Sequence, residues 1–143
     1  MVRYAFWILF ILPVLMLQGC AGQPTLTDEL KQRLVQRVES RWEFYSERDY
    51  SGAWNCSTPE YRRIFPQKSY YRNFYGFLEY ELTGVQLLAY DAPAAVASVA
   101  VRVMISSGRG APAASLEFGK TPTTIDESWK LVGGSWYYVD RVK

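Results

Sequence analysis

The sequence predicts an α+β fold: N-terminal helices packed on a curved, bulged antiparallel sheet, an α+β cone. Three observations carry this. Apolar residues recur at helical spacing through the first part of the chain, with Leu30, Leu34, Val38, Trp42 and Tyr45 as the clearest stripe. After Gly76 the period changes to two, the alternation of a half-buried strand. Finally, Gly133-Gly134 stands between two alternating runs and can supply the positive φ of a two-residue hairpin turn. Helices come first and strands afterwards, so the elements segregate into layers.

The chain begins with a short basic stretch, Met1 to Arg3, followed by an unbroken apolar or aromatic run from Tyr4 to Leu17. That run is shorter than the roughly 20 residues needed to span a ~30 Å hydrocarbon core, and it has the length of a secretory h-region. The next residues, Leu17-Gln18-Gly19-Cys20, resemble the bacterial lipobox: aliphatic, tolerated, small, cysteine. The resemblance implies cleavage before Cys20 and acylation of Cys20 by palmitate-type chains. Residues 1–19 then form a signal peptide, 20–27 a lipidated tether and 28–143 the folded domain. More than one chain is required, because each buried CH₂ contributes only about 0.8 kcal/mol and a single chain holds marginally. Ala21 follows the cysteine where an Asp tends to retain such proteins at the inner membrane; by that analogy the protein faces the periplasm from the outer membrane. The alternative is an ordinary signal peptide, or a short uncleaved anchor, with an incidental cysteine.

In the tether, Gly22 and Pro24 argue against regular structure. Thr25 or Thr27 can cap the long helix, whose first turn carries Asp28 and Glu29 beside the positive end of the helix dipole. Arg33, Arg37 and Arg41 form a second row along that helix, expected in solvent. Asp49 to Gly52 breaks the pattern; a short helix through Ala53 and Trp54 follows. Ser57 is expected to cap a third helix, with Tyr61 inward and Pro66 at its end. Ser69 is expected to cap one more turn, in which Tyr70 meets Phe74 and Tyr71 meets Tyr75.

Along the first strand, Tyr80 and Leu82 share one face, and Val85, Leu87 and Ala89 continue it after a slip in parity at Thr83-Gly84, the mark of a β-bulge. Asp91 and Pro93 make a turn. Ala97, Val99, Val101, Val103 and Ile105 line one face of the next strand, with Ser98 and Arg102 opposite. A glycine-rich loop covers 106–112, Leu116 and Phe118 suggest a short strand, and Pro122 resets the chain. In the final hairpin the glycine turn opposes Leu131 to Trp136, Trp129 to Tyr138, Glu127 to Asp140 and Asp126 to Arg141.

Composition narrows the function. Sixteen basic against 14 acidic residues leave too little net charge for a nucleic-acid partner. With no histidine in the chain, histidine metal sites, triads and pH switches are excluded, and neither metal nor cofactor is expected. If Cys20 carries lipid, Cys56 is the remaining thiol, expected to be a packed small hydrophobe.

The long helix through Arg41-Trp42, the break "ERDYSGAW" at 47–54, "STPEYRR" at 57–63 and "ESWKLVGGSWYYVD" at 127–140 together resemble the nuclear-transport-factor-2-like (cystatin-like) superfamily, over about residues 28 to 142. The resemblance implies helices laid on the concave face of a curved sheet, often with a pocket between them, and dimers through the sheet. Some members are isomerases, epoxide hydrolases or dehydratases, but none of their catalytic sets matches positions here, and no catalytic residue is carried over.

Three functions compete. A binding domain would hold a small apolar ligand against Trp42, Tyr45, Trp54, Trp129, Trp136 and Tyr138; aromatic walls with few polar groups suit such pockets, although the same rings can simply fill the core. An enzyme of isomerase, dehydratase or hydrolase type would use Glu127 and Asp140 as an acid–base pair, with Tyr45 donating to an oxyanion. Against it, the pair can instead lie at the wet hairpin end or be bridged by Arg41 or Arg102. An envelope-assembly protein would offer Lys130, Tyr137 and Val139 to a partner or to a second copy of itself. The reading adopted is a membrane-anchored, non-catalytic binding or assembly lipoprotein.

Overall fold

The computed structural model describes residues 26–73, 76–116 and 119–140. The leader, Cys20 and most of the tether lie outside that set. Helix α1 (Asp28–Ser46) is capped by Thr27, whose hydroxyl accepts from Leu30 N–H at 3.2 Å, and it buries Leu34, Val38, Trp42 and Tyr45. Helix α2 (Tyr50–Asn55) is capped by Asp49, which accepts from Gly52 N–H at 2.9 Å.

Helix α3 (Pro59–Ile64) starts one residue later than the sequence pattern predicts. Thr58 is its cap and Pro59 takes the first turn, where a missing N–H costs nothing. Ser57, the expected cap, is instead fully buried and bridges to Tyr138. Helix α4 (Gln67–Tyr70) begins directly after Pro66, so Ser69 lies inside it and caps nothing; a single 3₁₀ turn (Tyr71–Asn73) follows. The expected contacts to Phe74 and Tyr75 fall on residues outside the described set.

Four antiparallel strands form one sheet in the order β1-β2-β3-β4: β1 (Leu78–Asp91), β2 (Val96–Ser107), β3 (Thr121–Val132) and β4 (Ser135–Tyr138). The register of β1 on β2 slips between Leu82 and Gly84, where the parity change predicts a bulge, and again between Leu87 and Ala89. The second slip reverses the alternation. Tyr90, rather than the expected Ala89, turns to the core, and Leu88 is left in solvent. Strand β2 follows its pattern, with Ala97, Val99, Val101 and Val103 buried.

Two other expectations for this half are corrected. Residues 113–116 form a short helix, α5 (Ala113–Leu116), where Leu116 and Phe118 suggest a strand; alanines following a proline favour a helical turn. Phe118 is outside the described residues. Pro122 does not interrupt the chain but pairs with Met104 inside β3. Strand β4 reaches back only to Trp129, so β3 is an edge at Pro122 and needs no ladder N–H there.

The hairpin has the predicted register. Gly133 and Gly134 take φ of 56° and 79°, Leu131 opposes Trp136 and Trp129 opposes Tyr138. Val139 N–H still donates to Ser128 O at 2.8 Å, which continues the register toward Asp140. Arg141, expected opposite Asp126, lies outside the described residues. The concave face of the sheet and the apolar stripe of α1 enclose one core, ringed by α2, α3 and α4.

Candidate functional site

Alternation along β3 turns Glu127 to the same concave face as Trp129, and both are almost completely buried. A carboxylate there requires a cation and hydrogen-bond donors. Helix α1 supplies them. Arg41 stands three residues after Val38 and four before Tyr45, at the edge of the apolar stripe, and it is 5 % exposed. The expectation that the whole arginine row is wet therefore fails at this position: Arg33 is exposed, Arg37 is half-buried and reaches Asn55 O at 3.1 Å, and Arg41 is interior. Arg41 Nη1 donates to Glu127 Oε1 at 2.5 Å, Trp42 Nε1 donates to the same oxygen at 3.1 Å, and Trp129 Nε1 donates to Oε2 at 2.9 Å. Of the two arginines able to bridge the acid, Arg41 does so, and inside the core; Arg102 lies on the outer face against Gly84.

The guanidinium is also held by rings. Its central carbon lies 3.6 Å from the Tyr138 ring centre and 4.7 Å from that of Tyr45, and the Tyr45 and Tyr70 hydroxyls are 2.7 Å apart. Burial works against the Arg41 charge, but Tyr45, Glu127, Tyr70 and Tyr138 together outweigh it and hold the group protonated. Burial likewise pushes the Tyr45 phenol well up, so it remains a neutral hydrogen-bonding group.

Asp140 has a different environment. Two residues beyond Tyr138, it is only half-buried, and burial pushes its carboxyl up while the Ser57 hydroxyl and Arg41 pull it back. Ser57 acts here as a hydrogen-bond partner of the Asp140 carboxyl; Ser57 Oγ, Asp140 Oδ2 and Arg41 Nε are buried atoms without a closely aligned hydrogen bond. Arg62 Nε is a fourth such atom among the described residues, on a guanidinium 5.5 Å from the Trp54 ring centre. Beside Asp140, Tyr61 stacks on Phe65 with ring centres 4.7 Å apart, and burial together with the Asp140 charge pushes its phenol up to about 12. Cys56, next to Ser57, is fully buried; its thiol is pushed up by burial and contacts Gly52 O at 3.5 Å, as a packed small residue does.

The aromatic candidates divide by position. Trp42, Tyr45, Trp129 and Trp136 are buried, whereas Trp54 and Tyr138 are half-buried. All four of these indole N–H groups have protein acceptors: Trp54 donates to Phe65 O at 3.0 Å, Trp136 to Leu30 O at 2.9 Å, and Trp42 and Trp129 to Glu127. Trp42 borders an open groove of about 600 Å³ between α1 and β1, with Tyr80 and Leu82 on the far side. Trp136 and Tyr137 border another of about 410 Å³, with Arg33 and Arg37 on its rim. Of the residues expected on the interaction surface, Lys130 is exposed, and Tyr137 and Val139 are half-buried.

The structure thus joins Glu127, Trp42, Tyr45, Trp129 and Tyr138 in one network and leaves Asp140 at its margin. Arg41 as an interior residue, together with Ser57, Tyr61 and Tyr70, completes the site. The inward parity of Glu127 is the signal for Arg41, since a buried acid needs a cation and Arg41 adjoins the stripe. Nothing in the sequence marks Ser57, because its position depends on where the chain crosses Tyr138.

No protein-family model matches the chain, and no curated protein matches it in sequence. Solved structures match in fold. A protein of cystatin-like fold from Nostoc punctiforme superposes with a TM-score of 0.55 at 9% identity, over 81% of this chain and 91% of that one. A proposed dehydratase of the NTF2-like family from Streptomyces avermitilis superposes with a TM-score of 0.52 at 15% identity, over 76% of this chain and 90% of that one. At such identities the likeness concerns architecture alone: this chain shares with those cystatin-like and NTF2-like structures an α+β cone, helices packed on a four-stranded open antiparallel sheet.

Proposed function

We propose that the protein is a lipid-anchored, non-catalytic binding protein of the bacterial envelope that takes a small ligand at the mouth of its cone. The observation that carries the non-catalytic part is the state of Glu127. An acid–base catalyst needs a carboxyl free to exchange protons with substrate. Both Glu127 oxygens are occupied by donors from Arg41, Trp42 and Trp129, and the side chain is inside the core. The acid left for recognition is Asp140, half-buried and beside Tyr61. The anchor rests on Leu17 to Cys20 and the apolar run before them; the tether then holds the domain close to the bilayer.

Native mass spectrometry of the full chain, extracted from membranes with its lipid, tests this reading. A stoichiometric non-covalent small molecule is the expected result. An empty protein that lacks acyl chains on Cys20 would contradict it.

A second reading, an enzyme of isomerase, dehydratase or hydrolase type, is favoured by one observation: the Asp140 carboxyl is pushed up by burial and stands beside Tyr61. It would use Asp140 alone, not the expected Glu127/Asp140 pair. Turnover that is abolished in Asp140→Asn with the fold intact would select it.

A further inference from the structure

We propose that the open groove between α1 and the β3–β4 hairpin docks the domain on anionic phospholipid headgroups of the bilayer that holds its lipid anchor. This rests on the anchor proposed above and adds which face of the domain meets the membrane.

The groove encloses about 410 Å³ between two walls. Arg33, Arg37 and Ser40 stand at i, i+4 and i+7 on one face of α1, and Ser135 and Tyr137 of β4 stand opposite. Trp136 Nε1 donates to Leu30 O at 2.9 Å, which fixes the hairpin against the beginning of the helix. Beyond Tyr137 a third guanidinium approaches: that of Arg62 lies 6.0 Å from the Tyr137 ring centre. One neutral residue steadies two of the three cations. Arg37 Nη2 donates to Asn55 O at 3.1 Å, and Arg62 Nη1 donates to Asn55 Oδ1 at 3.4 Å.

Acids are absent where they would be expected. Among the described residues no carboxylate lines the groove, and the ion pairs are Arg41 with Glu127 and Lys120 with Glu81. Glu29, one helical turn before Arg33, and Glu60, two residues before Arg62, therefore do not close on these arginines. Three guanidiniums are thus gathered without a counter-ion in a chain whose charges nearly balance, 16 basic against 14 acidic. Their forked N–H donors fit the oxygens of a phosphate group.

Shape and position select the source of that phosphate. A small soluble ligand is ordinarily enclosed over most of its surface. This groove is open, and Arg33 on its rim is exposed, which suits an extended surface carrying many phosphates. Chain length agrees. The seven residues from Cys20 to Thr27 span at most about 25 Å, and Arg33 and Arg37 lie only about 8 and 14 Å along α1 from Asp28. Both are within reach of the headgroups, where each cation adds to the attraction of an anionic surface.

The full chain, reconstituted into nanodiscs of phosphatidylcholine with or without phosphatidylglycerol, tests this by NMR at the amides of Arg33, Arg37, Ser135 and Tyr137. Phosphatidylglycerol should shift these four signals, and added salt should reverse the shift. Arg33→Gln and Arg37→Gln should each lower the docked-to-free ratio about fivefold, the loss expected for one cation near such a surface. Arg102→Gln makes the same charge change on the outer face of the sheet and should leave the ratio unchanged. Signals indifferent to phosphatidylglycerol, or an equal loss in Arg102→Gln, would overturn the assignment. So would a saturable shift from glycerol phosphate with none from phosphatidylglycerol, which would make the groove a site for a soluble anion. The anchor is read separately, from the mass of the purified chain. If Cys20 is acylated while the four amides stay silent, the anchor stands and the docking face fails. A chain without acyl groups that still co-sediments with phosphatidylglycerol vesicles, through Arg33 and Arg37, keeps the docking face and loses the anchor; if it does neither, both fail.

Discussion

Glu127 and Asp140 sit on neighbouring strands of one hairpin, in one continuing register, yet the protein treats them differently. Glu127 lies under α1, where three donors, one of them a cation, close on it. Asp140 lies past the end of β4, half-buried, with one oxygen lacking a closely aligned hydrogen bond. Two carboxyls that are alike in a strand diagram thus become a structural ion and an available group. The difference comes from what crosses above them: the middle of a long helix in one case, the turn at Ser57 in the other. Enclosure rather than residue type decides which acid can meet a ligand.

The contrast should first be visible in stability. Glu127→Gln leaves the Arg41 charge buried without a counter-ion and should cost about 3–5 kcal/mol in urea unfolding at pH 7; a loss below about 1 kcal/mol would remove Glu127 from its structural role. Trp129→Phe keeps most of the ring but deletes the donor to Oε2, and a loss of about 2 kcal/mol is expected for a hydrogen bond to a charged group. In the hairpin turn, Gly133 has φ of 56°, so Gly133→Ala should cost about 1 kcal/mol by the same assay.

At the open end the sign reverses. The folded Asp140 carboxyl is held above its ordinary value of 3.8, so ionisation is harder in the fold than in the unfolded chain. Below pH 3.8 both states are protonated and the difference vanishes; as pH rises through the folded value, the wild type loses stability. Asp140→Asn should therefore raise the urea midpoint at pH 7 and leave it unchanged at pH 3, and a lowered midpoint at pH 7 would mean that its partners in the fold outweigh its burial. The smallest effect is expected at Ser57. Its buried hydroxyl meets the Asp140 carboxyl without close alignment, so Ser57→Ala should cost less than about 1 kcal/mol in thermal melts.

Much of this fold is legible in the sequence because it is set locally. The stripe from Leu34 to Tyr45, the bulge at Thr83-Gly84 and the register of the glycine hairpin all follow from spacing and backbone freedom, and each is present. Failures occur where a distant contact outweighs a local preference. The second bulge at Leu88 exchanges Ala89 for Tyr90 because the larger ring packs against Trp136, with centres 6.1 Å apart. Pro122 reads as a break but is harmless on an edge strand. Arg41 reads as one of three wet arginines, and only a partner 86 residues away makes it interior. The site was legible in the same measure: Glu127 and Asp140 on one face follow from register, while the donors that separate their roles come from other elements.

A pair of double-mutant cycles in urea, Arg41 with Glu127 and Arg41 with Asp140, tests the division between a closed and an open carboxylate most directly. A coupling of about 2–3 kcal/mol is predicted for the first pair and below about 0.5 kcal/mol for the second. Equal couplings, or the larger one at Asp140, would contradict it.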